Sequence, residues 1–83
     1  MSSRGALPVE FLLEALEDLE DLPAIARQLT ALAPEGRVAC GQSDPGLLEL
    51  TLREGHREKR LIYRYEPEQI LVLSAERVVP TRH

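Results

Sequence analysis

The sequence predicts an α+β fold in which two N-terminal helices pack on a twisted antiparallel β-sheet. Two observations predict it: the first half of the chain repeats leucines at helical spacing, and the second half holds three short segments in which apolar and polar residues alternate. Alternation gives a sheet one face that packs on a core, and the amphipathic helices cover that face. A chain of 83 residues is expected to form one domain, here residues 6–79.

The two ends of the chain are expected to lie outside this domain. Residues 1–5 are predicted to be a flexible N-terminus, because two serines and a glycine there offer nothing to bury, and residues 80–83 a short C-terminal tail. The run 6–11 is equally compatible with a short edge strand, in which Pro8 is tolerated, and with the lead-in to a helix.

Two short helices are predicted at residues 12–21 and 24–33. In the first, acidic residues lie opposite an apolar stripe at helical spacing, formed by Leu12, Leu13, Leu16, Leu19 and Leu22. Pro23 ends this helix and suits the first turn of the next, with Asp21 or Leu22 near its cap. Pro34 and Gly36 end the helical part of the chain.

The sheet is predicted from the remaining residues. Residues 37–40 are compatible with a brief strand, and the alternating segments 48–53, 60–65 and 70–75 with three longer ones. The connecting loops are 41–46, 54–56 and 66–68, which are rich in glycine, proline and acidic residues. The alternation places Leu61, Tyr63 and Tyr65 on one face, and it places Ile70, Val72 and Ser74 together.

Composition limits the classes of function. Net charge is −4, but residues 1–50 hold three bases and nine acids, whereas residues 51–83 hold seven bases and five acids. The acidic total argues against a protein that coats nucleic acid through bulk charge, while the sheet half is mildly basic. Cys40 is the single cysteine, so neither an internal disulfide nor a zinc site is expected, and no cofactor is predicted.

Nothing in the sequence indicates a membrane or secreted protein. No run approaches the roughly 20 apolar residues of a membrane span, and the N-terminus lacks the pattern of a secretory signal. A cytoplasmic location is therefore expected.

Several segments resemble the RelE/ParE superfamily of toxins, which includes the RelE-, HigB- and YoeB-like toxins of type II toxin–antitoxin pairs. The matching segments are Val9-Glu10-Phe11, the helical run 14–19 followed by Leu22-Pro23, the strand-like segments 46–53 and 60–65, and the last strand 70–73. The resemblance covers about nine-tenths of the chain. It implies two helices on a twisted antiparallel sheet.

The resemblance also implies a function. RelE-like toxins cleave mRNA on the ribosome without a metal ion, and ParE-like toxins inhibit DNA gyrase. Metal-free cleavage of RNA requires a base for the 2′-hydroxyl, a cation for the phosphate and an acid for the leaving oxygen. The leading hypothesis is thus a ribosome-dependent endoribonuclease involved in stress responses, with an antitoxin as partner. A core this small is also compatible with a homodimer.

The resemblance assigns roles to individual residues. Arg60 would hold the scissile phosphate, Arg77 would contact phosphate, and His83 would act as acid or base, with Glu49 as a further base beside Arg60. Further RNA contacts are expected from Arg53, Arg64 and Arg82. Each assignment has a simpler alternative: a cross-strand ion pair of Arg60 with Glu49, a solvated Arg77 and a frayed terminal histidine.

A second hypothesis is a non-catalytic binding module of the same fold, including a gyrase-directed inhibitor. Glu49 and Thr51 stand where RelE-type toxins have lysines, the catalytic aromatic residue near the end is missing, and the total charge is acidic. These departures favour the second hypothesis, whereas the arginines on one strand and the terminal histidine favour the first.

Overall fold

The computed structural model describes residues 7–39 and 46–78. The elements in chain order are β1 (Val9–Phe11), α1 (Leu13–Leu16), α2 (Leu22–Leu32), a 3₁₀ turn (Ala33–Glu35), β2 (Arg37–Val38), β3 (Leu47–Glu54), β4 (Arg57–Tyr65) and β5 (Ile70–Arg77). The predicted flexible segment 1–5, the tail 80–83 and most of the loop 41–46 lie outside the described residues.

The described strands form one mixed sheet with the order β1-β5-β4-β3-β2. The α+β class is confirmed, and β2 to β5 pair antiparallel as predicted. The prediction of an entirely antiparallel sheet is wrong at β1, which pairs parallel with β5. Parallel neighbours require a long crossover, and here both helices and three strands intervene between the two strands.

The first helix is much shorter than predicted. Instead of residues 12–21 it forms a single turn, and its end is tightened because Asp18 and Leu19 donate to carbonyls three residues back. The next backbone N–H groups, those of Glu20 and Asp21, donate to the carboxylate of Glu54 in β3. Hydrogen bonds to β3 thus replace the hydrogen bonds within the helix that the leucine spacing alone predicts for residues 20 and 21.

Asp21 caps the N-terminus of the second helix. The Asp21 carboxylate accepts a hydrogen bond of 3.3 Å from the N–H of Ala24, and Pro23 occupies the first turn, as predicted. This capping starts α2 two residues earlier than the predicted range 24–33. Ile25 and Leu29 on the buried face pack into the core.

The core lies between the helices and one face of the sheet. Its buried members are Ala15, Leu19, Ile25, Leu29, Ala33, Leu52, Leu61, Tyr63, Ile70, Val72 and Ala75. Leu61 and Tyr63 of β4 lie on this face as predicted, whereas Tyr65 at the strand end is 44 % exposed. Arg60, Ile62 and Arg64 alternate with them and therefore lie on the opposite face, called here the outer face.

A β-bulge in β5 overturns one detail of the predicted alternation. Tyr63 pairs with Val72, but Ile62 pairs with Ser74, so Leu73 is the extra residue. An inserted residue exchanges the two faces beyond it. Ser74, predicted on the face of Ile70 and Val72, therefore lies on the outer face, and Ala75 takes its place in the core.

Tyr63 connects β4 to the end of the helical layer. Its side chain is fully buried, and its hydroxyl donates to the carbonyl of Ala33 over 2.6 Å. Burial raises the pKa of Tyr63 to about 12. Gly36 passes so close that a Cβ atom there would lie 1.9 Å from the tyrosine oxygen, so a residue without a side chain is required for packing.

Candidate phosphate-binding cleft

The β3–β4 hairpin places basic residues at one end of the sheet. Glu54 pairs with Arg57, which leaves Gly55 and His56 as a two-residue turn. Gly55 has a φ of 65°, a conformation that favours glycine at the first turn position. Next to the hairpin, the N–H of Val78 donates to the carbonyl of Glu58 over 2.9 Å, so the end of β5 lies alongside it.

These segments enclose a cleft of about 430 Å³. Its lining residues are Arg53, His56, Arg57, Glu58, Arg77 and Val78. The lining thus includes three arginines and a histidine but a single acid, although the whole chain is acidic. Arginine keeps its charge and presents a planar set of donors that matches two phosphate oxygens, so the lining suits a phosphate group.

Helix α2 fixes the backbone from which Arg53 projects. The Gln28 side-chain amide accepts from the N–H of Arg53 over 3.1 Å and donates to its carbonyl over 2.7 Å. The short strand β2 pairs only with Leu48 and Glu49, so Gln28 satisfies the free edge of β3 further along. A site on a strand held in this way keeps its geometry better than one on a loop.

A buried ion pair fastens the hairpin to the helical layer. Lys59 Nζ lies 3.2 Å from Glu54 Oε1, and the two side chains are 6 % and 9 % exposed. Glu54 Oε2 accepts from the N–H groups of Glu20 and Asp21 over 2.6 and 2.7 Å, and Lys59 also donates to the carbonyl of Asp18. The one lysine of the chain therefore holds the α1–α2 connection and does not line the cleft.

The environment of the Glu54 carboxylate should make the stability of the fold decrease at acidic pH. Burial raises its pKa, but hydrogen bonds from Asp21 and Glu20 and the nearby Lys59 outweigh burial, so the pKa falls below its ordinary 4.5. Because its pKa is lower in the folded state than in the unfolded state, the ionised Glu54 carboxylate stabilises the fold above pH 4.5. This contribution is lost as the pH falls through the folded-state pKa.

We expect urea unfolding to show this dependence. As the pH falls below 4.5, the free energy of unfolding of the wild type should decrease more steeply than that of Glu54→Gln, which has no carboxylate to protonate. Equal slopes in the two proteins would contradict the role of Glu54.

The structure brings two of the predicted site residues together. Arg53 and Arg77 line the cleft. Arg60 lies on the outer face opposite Thr51 and pairs with Glu76, not with the expected Glu49; the two side chains are 47 % and 58 % exposed. Glu49 instead stands opposite Arg37 and Ile62.

Among the described residues, Arg64 is a further predicted site residue that does not line the cleft. Arg64 lies on the outer face opposite Leu47 and Leu71, toward the other end of β4. Arg82 and His83 are outside the described residues. His56 and Arg57 also line the cleft but are not among the predicted site residues, although the concentration of bases between residues 53 and 60 is a signal for them.

Comparison of the chain with protein-family models, with characterised proteins and with solved structures gives no match. The RelE/ParE assignment therefore stays a prediction from the resemblance. Within residues 7–39 and 46–78, no three His, Cys, Asp or Glu side chains cluster as metal ligands would. No helix in that part of the chain is long and apolar enough to span a membrane.

Proposed function

We propose that this chain is a RelE/ParE-like toxin, a metal-independent endoribonuclease that cleaves mRNA on the ribosome in the cytoplasm. The observation that supports it is the cleft, which Arg53, Arg57, Arg77 and His56 line in an otherwise acidic protein. Cations clustered at one point bind a phosphodiester more strongly than the same charges dispersed over a surface. The proposal includes an antitoxin that binds and inhibits the toxin.

The residues of the cleft match the needs of the reaction. The arginines neutralise the charge that grows on the phosphate as the 2′-oxygen attacks, and an imidazole such as that of His56 suits the transfer of a proton to or from an oxygen. His83 keeps its predicted role as acid or base. Arg60 also remains available, because an exposed ion pair such as that with Glu76 is worth only about 0–1 kcal/mol, and a phosphate can replace the carboxylate.

Induced expression in a bacterial host tests the proposal. We expect the wild type to arrest growth, and mapping of mRNA ends to show cuts inside translated codons. Arg53→Gln/Arg77→Gln should reduce cleavage by about 100-fold or more, since each arginine stabilises charge in the transition state. The matched control Arg27→Gln/Arg37→Gln removes two exposed arginines outside the cleft and should cleave as the wild type does.

Two outcomes would contradict the proposal. Unchanged growth with intact mRNA would exclude the ribonuclease. Equal loss of cleavage in the cleft variant and in the control would show that total charge, not the cleft, governs activity. Arg60→Ala is tested beside them, and it separates a role of Arg60 from that of the cleft residues.

A non-catalytic binding module, including a gyrase-directed inhibitor, is the second candidate. The observation that favours it is the position of Arg60, because the arginine assigned to the scissile phosphate does not line the cleft. Growth arrest with intact mRNA and inhibited supercoiling by purified gyrase would support this candidate. An antitoxin reading frame next to this one would support either form of the toxin proposal.

A further inference from the structure

The most exposed apolar surface of the described chain lies at α1. Leu12, Leu13 and Leu16, called here the leucine patch, are 44 %, 73 % and 37 % exposed. Because α1 is a single turn, only Ala15 of that turn reaches the core. Three neighbouring leucines in contact with water on so small a domain indicate a surface that a partner covers.

The charges that neighbour the leucine patch along the chain have one sign. Residues 7–26 include six acids and no base. Glu14 lies within the turn that forms the patch, Glu17 follows directly after it, and both are exposed. This combination of exposed leucines and an acidic rim is complementary to a surface that is apolar at its centre and basic at its edge.

We propose that the leucine patch binds a basic amphipathic helix of a partner protein. Such a helix lays apolar residues on the leucines and places lysine or arginine against Glu14 and Glu17. A second copy in a symmetric dimer would bring the same acidic rim and meet like-charge repulsion. An anionic lipid surface or a nucleic acid is repelled for the same reason. This proposal is independent of the function proposed for the cleft.

A synthetic peptide provides the probe. It has leucine at the a and d positions of two heptads and lysine elsewhere, about 14 residues in all, with a fluorescent label. The comparison peptide has glutamate in place of every lysine. Fluorescence anisotropy with the full chain gives the affinity for each peptide, and circular dichroism confirms that every variant is folded.

Two pairs of variants separate apolar from charge contributions. Leu13→Gln should weaken binding of the lysine peptide about tenfold, whereas Val38→Gln, on β2 and 63 % exposed, should leave it unchanged. Glu14→Gln/Glu17→Gln should weaken it about tenfold at low salt, whereas Glu35→Gln/Glu68→Gln, two exposed acids elsewhere, should change it little. The glutamate peptide should not bind.

Several outcomes would overturn the proposal. Equal affinity of wild type and Leu13→Gln for the lysine peptide would show that the patch is not the binding surface. Equal affinity for the two peptides would show that charge complementarity does not contribute to binding. A wild-type dimer in sedimentation that Leu13→Gln disperses would assign the patch to a second copy of the chain.

Discussion

Replacing Lys59 with methionine is expected to lower the free energy of unfolding by about 3–5 kcal/mol, the typical cost of removing one partner of a buried ion pair. Methionine fills a similar volume but has no charge, so the Glu54 carboxylate stays buried without its cation. The carbonyl of Asp18 also loses the donor that Lys59 provides. A domain of this size has a total stability of only about 5–15 kcal/mol, so the variant should be near unfolding at elevated temperature.

Urea and thermal unfolding measure the effect. We expect the midpoint temperature of Lys59→Met to fall by more than about 10 °C. Arg27→Met is the matched control, because it removes an exposed charge and should change stability by less than about 0.5 kcal/mol. Adding Glu54→Gln to Lys59→Met should recover part of the loss, since no unpaired charge is then buried. A loss below about 1 kcal/mol for Lys59→Met would contradict the role of the pair.

Replacing Gly36 with alanine is the second large expected effect. The added methyl group would lie 1.9 Å from the Tyr63 oxygen and 2.9 Å from the ring carbon that bears it. Both atoms are in the fully buried core, so either the ring or the backbone must move. We expect a loss of about 3 kcal/mol, at the upper end of the usual cost of overpacking.

A double-mutant cycle with Tyr63→Phe tests that cause. Tyr63→Phe alone should cost about 1 kcal/mol, because the carbonyl of Ala33 loses its hydrogen bond. In its presence Gly36→Ala should cost clearly less than in the wild type, since the nearest clashing atom is gone. If the cost of Gly36→Ala is the same in both backgrounds, the clash with the hydroxyl is not its cause.

The sequence predicts the layers of this fold better than its details. Leucine spacing and period-two alternation are local, and they correctly indicate two helices followed by a meander. The length of α1 depends instead on Glu54, which lies 33 residues away from Asp21 along the chain. The Glu54 carboxylate accepts hydrogen bonds from backbone N–H groups that would otherwise bond within a longer helix. The bulge at Leu73 and the parallel position of β1 likewise result from strand pairing, which no local pattern specifies.

For the candidate site, too, individual residues can be predicted from the sequence, whereas their arrangement depends on strand pairing. The resemblance predicts Arg53 and Arg77 individually, and in the structure both line one cleft. Their proximity to His56 and Arg57 arises because the end of β5 lies along the hairpin, as the hydrogen bond from Val78 to Glu58 shows. The same resemblance predicts Arg60, but the strand register places it opposite Glu76, with which it pairs.

The most direct test of the candidate phosphate-binding cleft is the salt dependence of RNA binding. A labelled single-stranded RNA oligonucleotide is titrated with wild type and with Arg53→Gln/Arg77→Gln at several salt concentrations. If the cleft holds the backbone, the variant binds more weakly, and the slope of log K against log salt falls by about 0.7 for each arginine that contacts a phosphate. Equal affinity and equal slope in the two proteins would contradict the assignment of the cleft to RNA.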